Sequence, residues 1–138
     1  MAIYGIGAMY GRNTDKLRDF VIEKCACIGW EEFEAPATHK MLAGIKTGDI
    51  MYIKSMGISD KTLNIKAIGV VFDDQIKDFF NLGKGVSVKW IWTQENKHPI
   101  KVNITTEMYK NNVFNNTLYE EYNPFIQSII MRQLFGDL

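Results

Sequence analysis

Aromatic side chains that also carry a polar group are the residues of this sequence best suited to holding a ligand. The informative set is Tyr4, Tyr10, Trp30, Tyr52, Trp90, Trp92 and Tyr119. Tyr and Trp rings suit both a protein core and a platform on which a nucleobase stacks. Trp30 follows Gly29 and precedes an acidic loop, which favours a position on the rim of a site. Trp90 and Trp92 alternate with valines, which favours the core.

A cation and a hydroxyl stand close to this aromatic set in the predicted topology. Lys54 and Ser55 end a predicted strand that begins after the Thr47-Gly48 turn. If the neighbouring strands are antiparallel, that end lies near the same mouth as Trp30. A flat ring, a hydroxyl and a cation at one mouth can hold a nucleobase and its phosphate.

Glycine-rich stretches give weak indications of phosphate binding. The glycines at positions 5, 7 and 11 do not have the spacing of the dinucleotide fingerprint. Gly83-Lys84-Gly85 lacks the frame of a P-loop, although its backbone N–H groups and its cation suit a phosphate. A tight turn with an exposed lysine is the favoured interpretation of this segment.

The sequence carries no catalytic signature and no cofactor motif. Cys25 and Cys27 lie in an apolar run without a nearby base, which predicts buried, unreactive thiols in a reducing, cytoplasmic setting. With only His39 and His98 besides, a four-ligand zinc site is not expected. The paired carboxylates at 31–32, 73–74 and 120–121 stand in polar stretches and are predicted to be solvated. The protein is therefore predicted not to be an enzyme.

Length and charge narrow the classes of partner. The 138 residues predict one domain, 1–138, and 16 basic residues balance 16 acidic ones. A protein that grips long nucleic acid nonspecifically usually has a basic excess, so nucleic-acid binding would here need a local patch. A few placed cations would serve equally well for a small anion. A signal peptide and a membrane-spanning stretch are not expected, and the apolar share is compatible with a homo-oligomer.

Hydrophobic periodicity predicts an α+β domain with a small, mostly antiparallel β-barrel. Strands are expected over residues 2–9, 26–30, 49–55, 63–71, 86–93 and 100–104. An early helix is expected to end near Lys24, a short middle helix to cover 37–45, and a C-terminal helix to run from Asn123-Pro124 to Gly136. Residues 72–80 fit either a strand edge or a short helix. In the strand over 86–93, Val86, Val88, Trp90 and Trp92 are expected to share one face.

Short motifs across residues 2–93 resemble the PUA-like superfamily, with EVE-like domains the closest. They are Ile28-Gly29-Trp30, a short helix with His39, the Gly48-Asp49 turn with Tyr52, Lys54 and Ser55, the segment Ile65 to Val71, and Val88-Lys89-Trp90. The amino-terminal domains of some modification-dependent restriction systems look similar.

The resemblance implies a small barrel that binds a nucleobase of nucleic acid, often a modified one, flipped into an aromatic pocket. By position, Trp30 and Ser55 would line the pocket, together with Met9 and Tyr10 from the end of the first strand. The expected function is non-catalytic base recognition.

Two alternatives stay open. The chain also looks like phage-encoded sponges, the Thoeris inhibitors, which sequester cyclic ADP-ribose-type or cyclic-nucleotide signals of host antiphage defence. Such a protein would act in the infected host cell, and a dimer partner would help to complete its site. The candidate residues would then be Phe80, Lys84, Trp90 and the polar stretch Lys110 to Asn116, including Asn115. The second alternative is a protein-interaction module that uses the acidic loop 31–34.

Overall fold

The computed structural model describes residues 1–57, 61–105, 108 and 116–137. Its elements, in chain order, are β1 (Ile3–Gly7), β2 (Met9–Tyr10), β3 (Thr14–Asp15), α1 (Leu17–Glu23), β4 (Cys25–Ile28), α2 (Pro36–Ala43), β5 (Ile50–Met56), β6 (Thr62–Phe79), β7 (Gly83–Thr93), β8 (Ile100–Asn103), β9 (Leu118–Glu120) and α3 (Pro124–Phe135). Within these described residues, no helix is long and apolar enough to span a membrane.

Seven strands form one strongly curled sheet, a half-barrel. Its order is β4-β7-β6-β5-β1-β9, and β8 pairs with β6. Strands β1 and β5 run parallel, and the other strand pairs of this sheet are antiparallel. Within the described residues, the predicted α+β class, the mostly antiparallel sheet and the early, middle and C-terminal helices are thereby confirmed. Strands β2 and β3 form a separate two-stranded ribbon.

Strand β5 lies inside the sheet and contributes to the core on both faces. Met51 and Ile53 pack into one apolar cluster, which also contains Phe20 and β4. Ile50 and Tyr52 pack into a second cluster on the opposite face, beneath α3. The alternation expected from the sequence is therefore present, because successive side chains of a strand point to opposite faces.

The turn before β5 is fixed by one carboxylate. Gly48 has φ +95°, a conformation that glycine adopts without steric cost. The Asp49 side chain accepts the N–H of Lys46 at 2.8 Å and that of Ala2 at 3.0 Å. Asp49 thus joins the turn to the start of the chain, which sets the parallel register of β1 and β5.

Strands β6 and β7 form a long hairpin with several irregularities. β6 continues through residues 72–79, so the strand alternative is the right one for that segment. The register shifts between Ile68 and Gly69, and there the alternation of β7 breaks. As a result Trp90 packs against the first cluster and Trp92 against the second. The expected common face with Val86 and Val88 is therefore confirmed for Trp90 and wrong for Trp92.

The C-terminal helix follows its sequence signals closely. The Asn123 side chain accepts the N–H groups of Phe125 at 2.9 Å and Ile126 at 3.2 Å, and Pro124 occupies the first turn. Gly136 ends the helix. Ile126 and Ile130 are fully buried, so this helix covers the second cluster.

Candidate functional site

A cavity of about 890 Å³, hereafter the Trp30 cavity, opens at the end of the sheet where β1 and β5 terminate. Its described lining consists of Gly7, Met9, Tyr10, Gly11, Arg12, Gly29, Trp30, Lys54, Ser55, Met56, Asn116 and Thr117. The volume falls within the range typical of ligand pockets, roughly 300–1,000 Å³. Six residues that the sequence indicated are thus brought together: Met9, Tyr10, Trp30, Lys54, Ser55 and Asn116.

The parallel pairing of β1 and β5 brings together the residues that form the floor of the cavity. Both strands end at the same edge of the sheet, where Gly7 stands opposite Lys54. The register between β5 and β6 slips by one residue at Lys54. Lys54 and the following Ser55 both line the cavity, even though consecutive strand residues normally face opposite ways.

The aromatic walls differ in how firmly they are held. The Tyr10 hydroxyl donates to the Leu82 carbonyl at 2.6 Å, and its ring packs edge-on against Phe20, 6.2 Å between centroids. A Cβ atom at Gly29 would lie 3.0 Å from the Tyr10 ring, so glycine lets the two segments approach. Tyr10 is therefore a fixed wall of the cavity.

Trp30, by contrast, presents its ring to solvent. It is 54% exposed, and its backbone is anchored by His39, whose Nε2 lies 2.7 Å from the Trp30 carbonyl. Because a carbonyl only accepts, this nitrogen is the donor. Helix α2 thus holds the backbone while the indole face remains available. Met9, 49% exposed, stands in the same lining.

Lys54 is a nearly buried cation on the cavity floor. It is 8% exposed, donates to the Asn116 carbonyl at 2.8 Å, and its Nζ lies 5.5 Å from the centre of the Tyr119 ring. Burial lowers the pKa of Lys54 from 10.5 to about 8. The ammonium group is thus less solvated than an ordinary lysine, which favours interaction with an incoming anion.

Arg12 supplies a second cation that sequence reasoning missed. It stands exposed on the turn between β2 and β3, in a loop whose sequence gives no sign that it folds back over the sheet edge. The described lining contains no Asp or Glu, so Arg12 and Lys54 give it a positive charge. Such a lining suits an anionic ligand.

A buried chain of hydrogen bonds, formed by Tyr52, Tyr119 and Glu121, lies next to Lys54. The Tyr52 hydroxyl donates to Glu121 at 2.6 Å and therefore accepts from the Tyr119 hydroxyl, also 2.6 Å away. Glu121 is 3% exposed, and its burial raises its pKa, an effect that the Tyr52 hydrogen bond opposes. The prediction that the carboxylates at 120–121 form a solvated surface pair was wrong for Glu121.

The remaining candidates lie away from the Trp30 cavity. Phe80, 91% exposed, is at the tip of the β6–β7 hairpin, and Lys84 pairs with Glu32 at 3.6 Å. Trp90 lines a different cavity, between α1 and the hairpin. Lys110 and Asn115 lie outside the described residues.

The described lining contains few side chains of the types that act as nucleophile or base. It contains two aliphatic hydroxyls, those of Ser55 and Thr117, and none of its described residues is a His, Asp or Glu. Cys25 and Cys27 are fully buried, as expected, and the hydrogen bond between them together with burial raises the pKa of Cys27. Among the described residues, no group of three or more His, Cys, Asp and Glu side chains is placed to hold a metal ion.

The cavity therefore combines an exposed indole, a fixed phenol ring, two aliphatic hydroxyls and two cations. Comparison of the sequence with protein-family models and with curated proteins gave no match.

Proposed function

We propose that this protein binds a nucleotide-type ligand in the Trp30 cavity and does not alter it chemically. The observation that carries the proposal is the placement of a half-exposed indole and two cations in one lining whose described residues include no carboxylate. In this arrangement the base stacks on Trp30 and the phosphate lies towards Lys54 and Arg12. Stacking of one base on an aromatic side chain contributes about 1–3 kcal/mol.

The PUA-like resemblance favours a base of nucleic acid as the ligand. The four residues that it implicates, Met9, Tyr10, Trp30 and Ser55, all line the same cavity. A flipped base loses its stacking in the duplex, and a pocket with an exposed indole beside a fixed phenol replaces it. The protein would then be an EVE-like reader of a base, which includes a modified base.

The charge distribution, by contrast, favours a free nucleotide as the ligand. The chain has equal numbers of basic and acidic residues, and Trp30 is followed by the exposed carboxylates Glu31, Glu32 and Glu34. An acidic segment beside the mouth repels a polymer backbone, whereas the cations of the lining still attract a small anion. A sponge for a cyclic ADP-ribose-type or cyclic-nucleotide signal, acting in the cytoplasm of an infected cell, fits this pattern.

Mass spectrometry and thermal scans distinguish a base of nucleic acid from a free nucleotide as the ligand. Heat-denatured protein is analysed for released small molecules, and melting is followed with free mononucleotides, cyclic nucleotides and short oligonucleotides with and without base modifications. Stabilisation by an oligonucleotide, weakened steeply by salt, indicates the reader. Release of an intact small nucleotide indicates the sponge. Conversion of any nucleotide into a product would overturn the non-catalytic proposal.

Trp30→Ala tests the position of the site. The variant should bind the active nucleotide at least about tenfold more weakly, as expected for the loss of one stacked base. Phe80→Ala is the matched control, because it removes an aromatic side chain that is even more exposed and lies outside the cavity. Equal affinity of the wild type and Trp30→Ala would place the ligand elsewhere.

A further inference from the structure

A second cavity, of about 410 Å³, lies between the end of α1 and the β6–β7 hairpin. Its described lining consists of Val21, Lys24, Phe72, Lys89 and Trp90, and it shares none of them with the Trp30 cavity. It is called the Phe72 cavity here. Its volume is also within the range of ligand pockets, roughly 300–1,000 Å³.

Two irregular backbone positions shape the Phe72 cavity. The β6–β7 register shifts between Val71 and Asp73, and at this irregularity the Phe72 ring is 53% exposed. Bulges redirect side chains in this way and are common beside functional sites. Lys24, directly after α1, has φ +54°, an uncommon conformation for a residue other than glycine, and its carbonyl accepts the Val88 N–H at 2.9 Å.

Trp90 forms a rigid wall of this cavity. Its indole N–H is shared between the carbonyls of Phe20, at 3.1 Å, and Cys25, at 3.2 Å. Gly69 lies opposite on β6, where a Cβ atom would stand only 2.9 Å from the Trp90 ring. The indole is thus packed on the sheet with its polar group satisfied, and it offers the cavity only aromatic surface.

The charged side chains of the described lining, Lys24 and Lys89, have one sign. Lys24 and Lys89 are both exposed, and neither forms an ion pair or a side-chain hydrogen bond with a residue in the described part of the chain. No carboxylate belongs to the described lining, and the nearby Asp73 is paired with Lys77 at 2.9 Å. Two cations therefore flank a pair of aromatic rings, an arrangement complementary to an aromatic anion.

We propose that the Phe72 cavity is a second ligand site, which binds a small aromatic anion, such as an aryl carboxylate or sulfonate, independently of the Trp30 cavity. The rings of Phe72 and Trp90 enclose the planar part of the ligand, and Lys24 and Lys89 bind its acidic group. This site shares no described lining residue with the proposed nucleotide site.

The probe that tests this site is 8-anilinonaphthalene-1-sulfonate, whose fluorescence rises when its rings leave water. Titration of the native protein should give saturable, salt-sensitive binding. Lys24→Asn and Lys89→Gln should each weaken binding about two- to fivefold, the effect of one partly screened charge pair. Asparagine is chosen at position 24 because it tolerates the left-handed conformation. Phe72→Ser should weaken binding about tenfold or more.

Two controls decide whether the probe reports this cavity. Lys101→Gln removes an exposed lysine of β8 and should bind the probe like the wild type. Trp30→Ala removes the exposed indole of the other cavity, where the same probe could stack, and should keep one saturable site per chain. Near-ultraviolet circular dichroism of each variant confirms the fold, and the two lysine variants carry the test if Phe72→Ser does not fold. The proposal is overturned if the native protein does not bind the probe, if the Phe72 cavity variants bind it unchanged, or if Trp30→Ala abolishes its binding.

Discussion

Replacement of Lys54 by methionine should stabilise the fold while it weakens binding of an anionic ligand. Methionine keeps most of the apolar stem and removes the charge from a position that is 8% exposed. Burial lowers the pKa of Lys54, so the folded protein holds the proton less tightly than the unfolded chain does. At neutral pH the charge therefore opposes folding.

The size of this effect follows from the pKa difference. With a pKa of about 8 in the folded protein and 10.5 in the unfolded chain, the charged side chain costs about 3 kcal/mol of stability at pH 7. The variant also loses the hydrogen bond to the Asn116 carbonyl, which reduces this gain in stability by about 1 kcal/mol. Lys54→Met should thus raise the free energy of unfolding at pH 7 by about 2 kcal/mol.

The pH dependence of the difference is the sharper readout. Because the folded pKa is the lower one, the wild type gains stability relative to Lys54→Met as the pH rises from about 8 towards 10.5. Between pH 7 and pH 9 the difference should shrink by about 1.4 kcal/mol. Urea denaturation at both pH values measures it, and Lys101→Met, at an exposed position of β8, should show no such change. A Lys54→Met variant that is less stable than the wild type at both values would refute the reasoning.

Two further predictions concern the floor of the Trp30 cavity and the pH dependence of its ligand. Tyr52→Phe should lower the free energy of unfolding by about 2 kcal/mol, because Glu121 and Tyr119 lose a buried hydrogen-bond partner; urea denaturation should show no comparable loss for Tyr122→Phe, at a residue that is 73% exposed. For whichever nucleotide stabilises the protein, the affinity measured by calorimetry should fall by up to about tenfold per pH unit above pH 8, because unliganded Lys54 then loses its proton. Lys54→Met should lack this pH dependence. An affinity that is constant from pH 7 to 9 would contradict a role for Lys54 in anion binding.

The elements whose burial repeats regularly were predictable from the sequence. Strand β5 alternates between two apolar clusters, and α3 carries a capping asparagine, a first-turn proline and a terminal glycine. Each of these signals is local, because it depends on residues within a few positions of one another.

The parts that depend on distant pairing were not predictable. β9 lies in a polar stretch and is a strand because β1 offers it an edge. Trp92 changes face because of a register shift in the hairpin, which the alternating pattern of the strand does not reveal. In the sequence, Glu121 looks like one of two adjacent surface carboxylates. It reaches the Tyr52 hydroxyl only because β9 pairs with β1, the strand beside β5.

The candidate site follows the same division. Trp30, Lys54 and Ser55 were indicated by residue type and by their positions at the ends of predicted strands, and they line one cavity. Arg12 was missed, because its contribution depends on the β2–β3 ribbon folding over the sheet edge. Residue chemistry thus identified the aromatic, hydroxyl and lysine members of the cavity, but not the arginine that the β2–β3 turn supplies.

The burial of Lys54 links the stability of the protein to the proposed ligand. A lysine retained for stability would have a folded-state pKa at or above its ordinary value, because its partners would favour the charged form. The burial of Lys54 does the opposite and lowers the pKa to about 8. A residue that costs stability in the unliganded protein is typical of sites where function opposes stability. An anion bound at the cavity floor would favour the charged form of Lys54, so the ligand would recover part of the free energy that folding loses there.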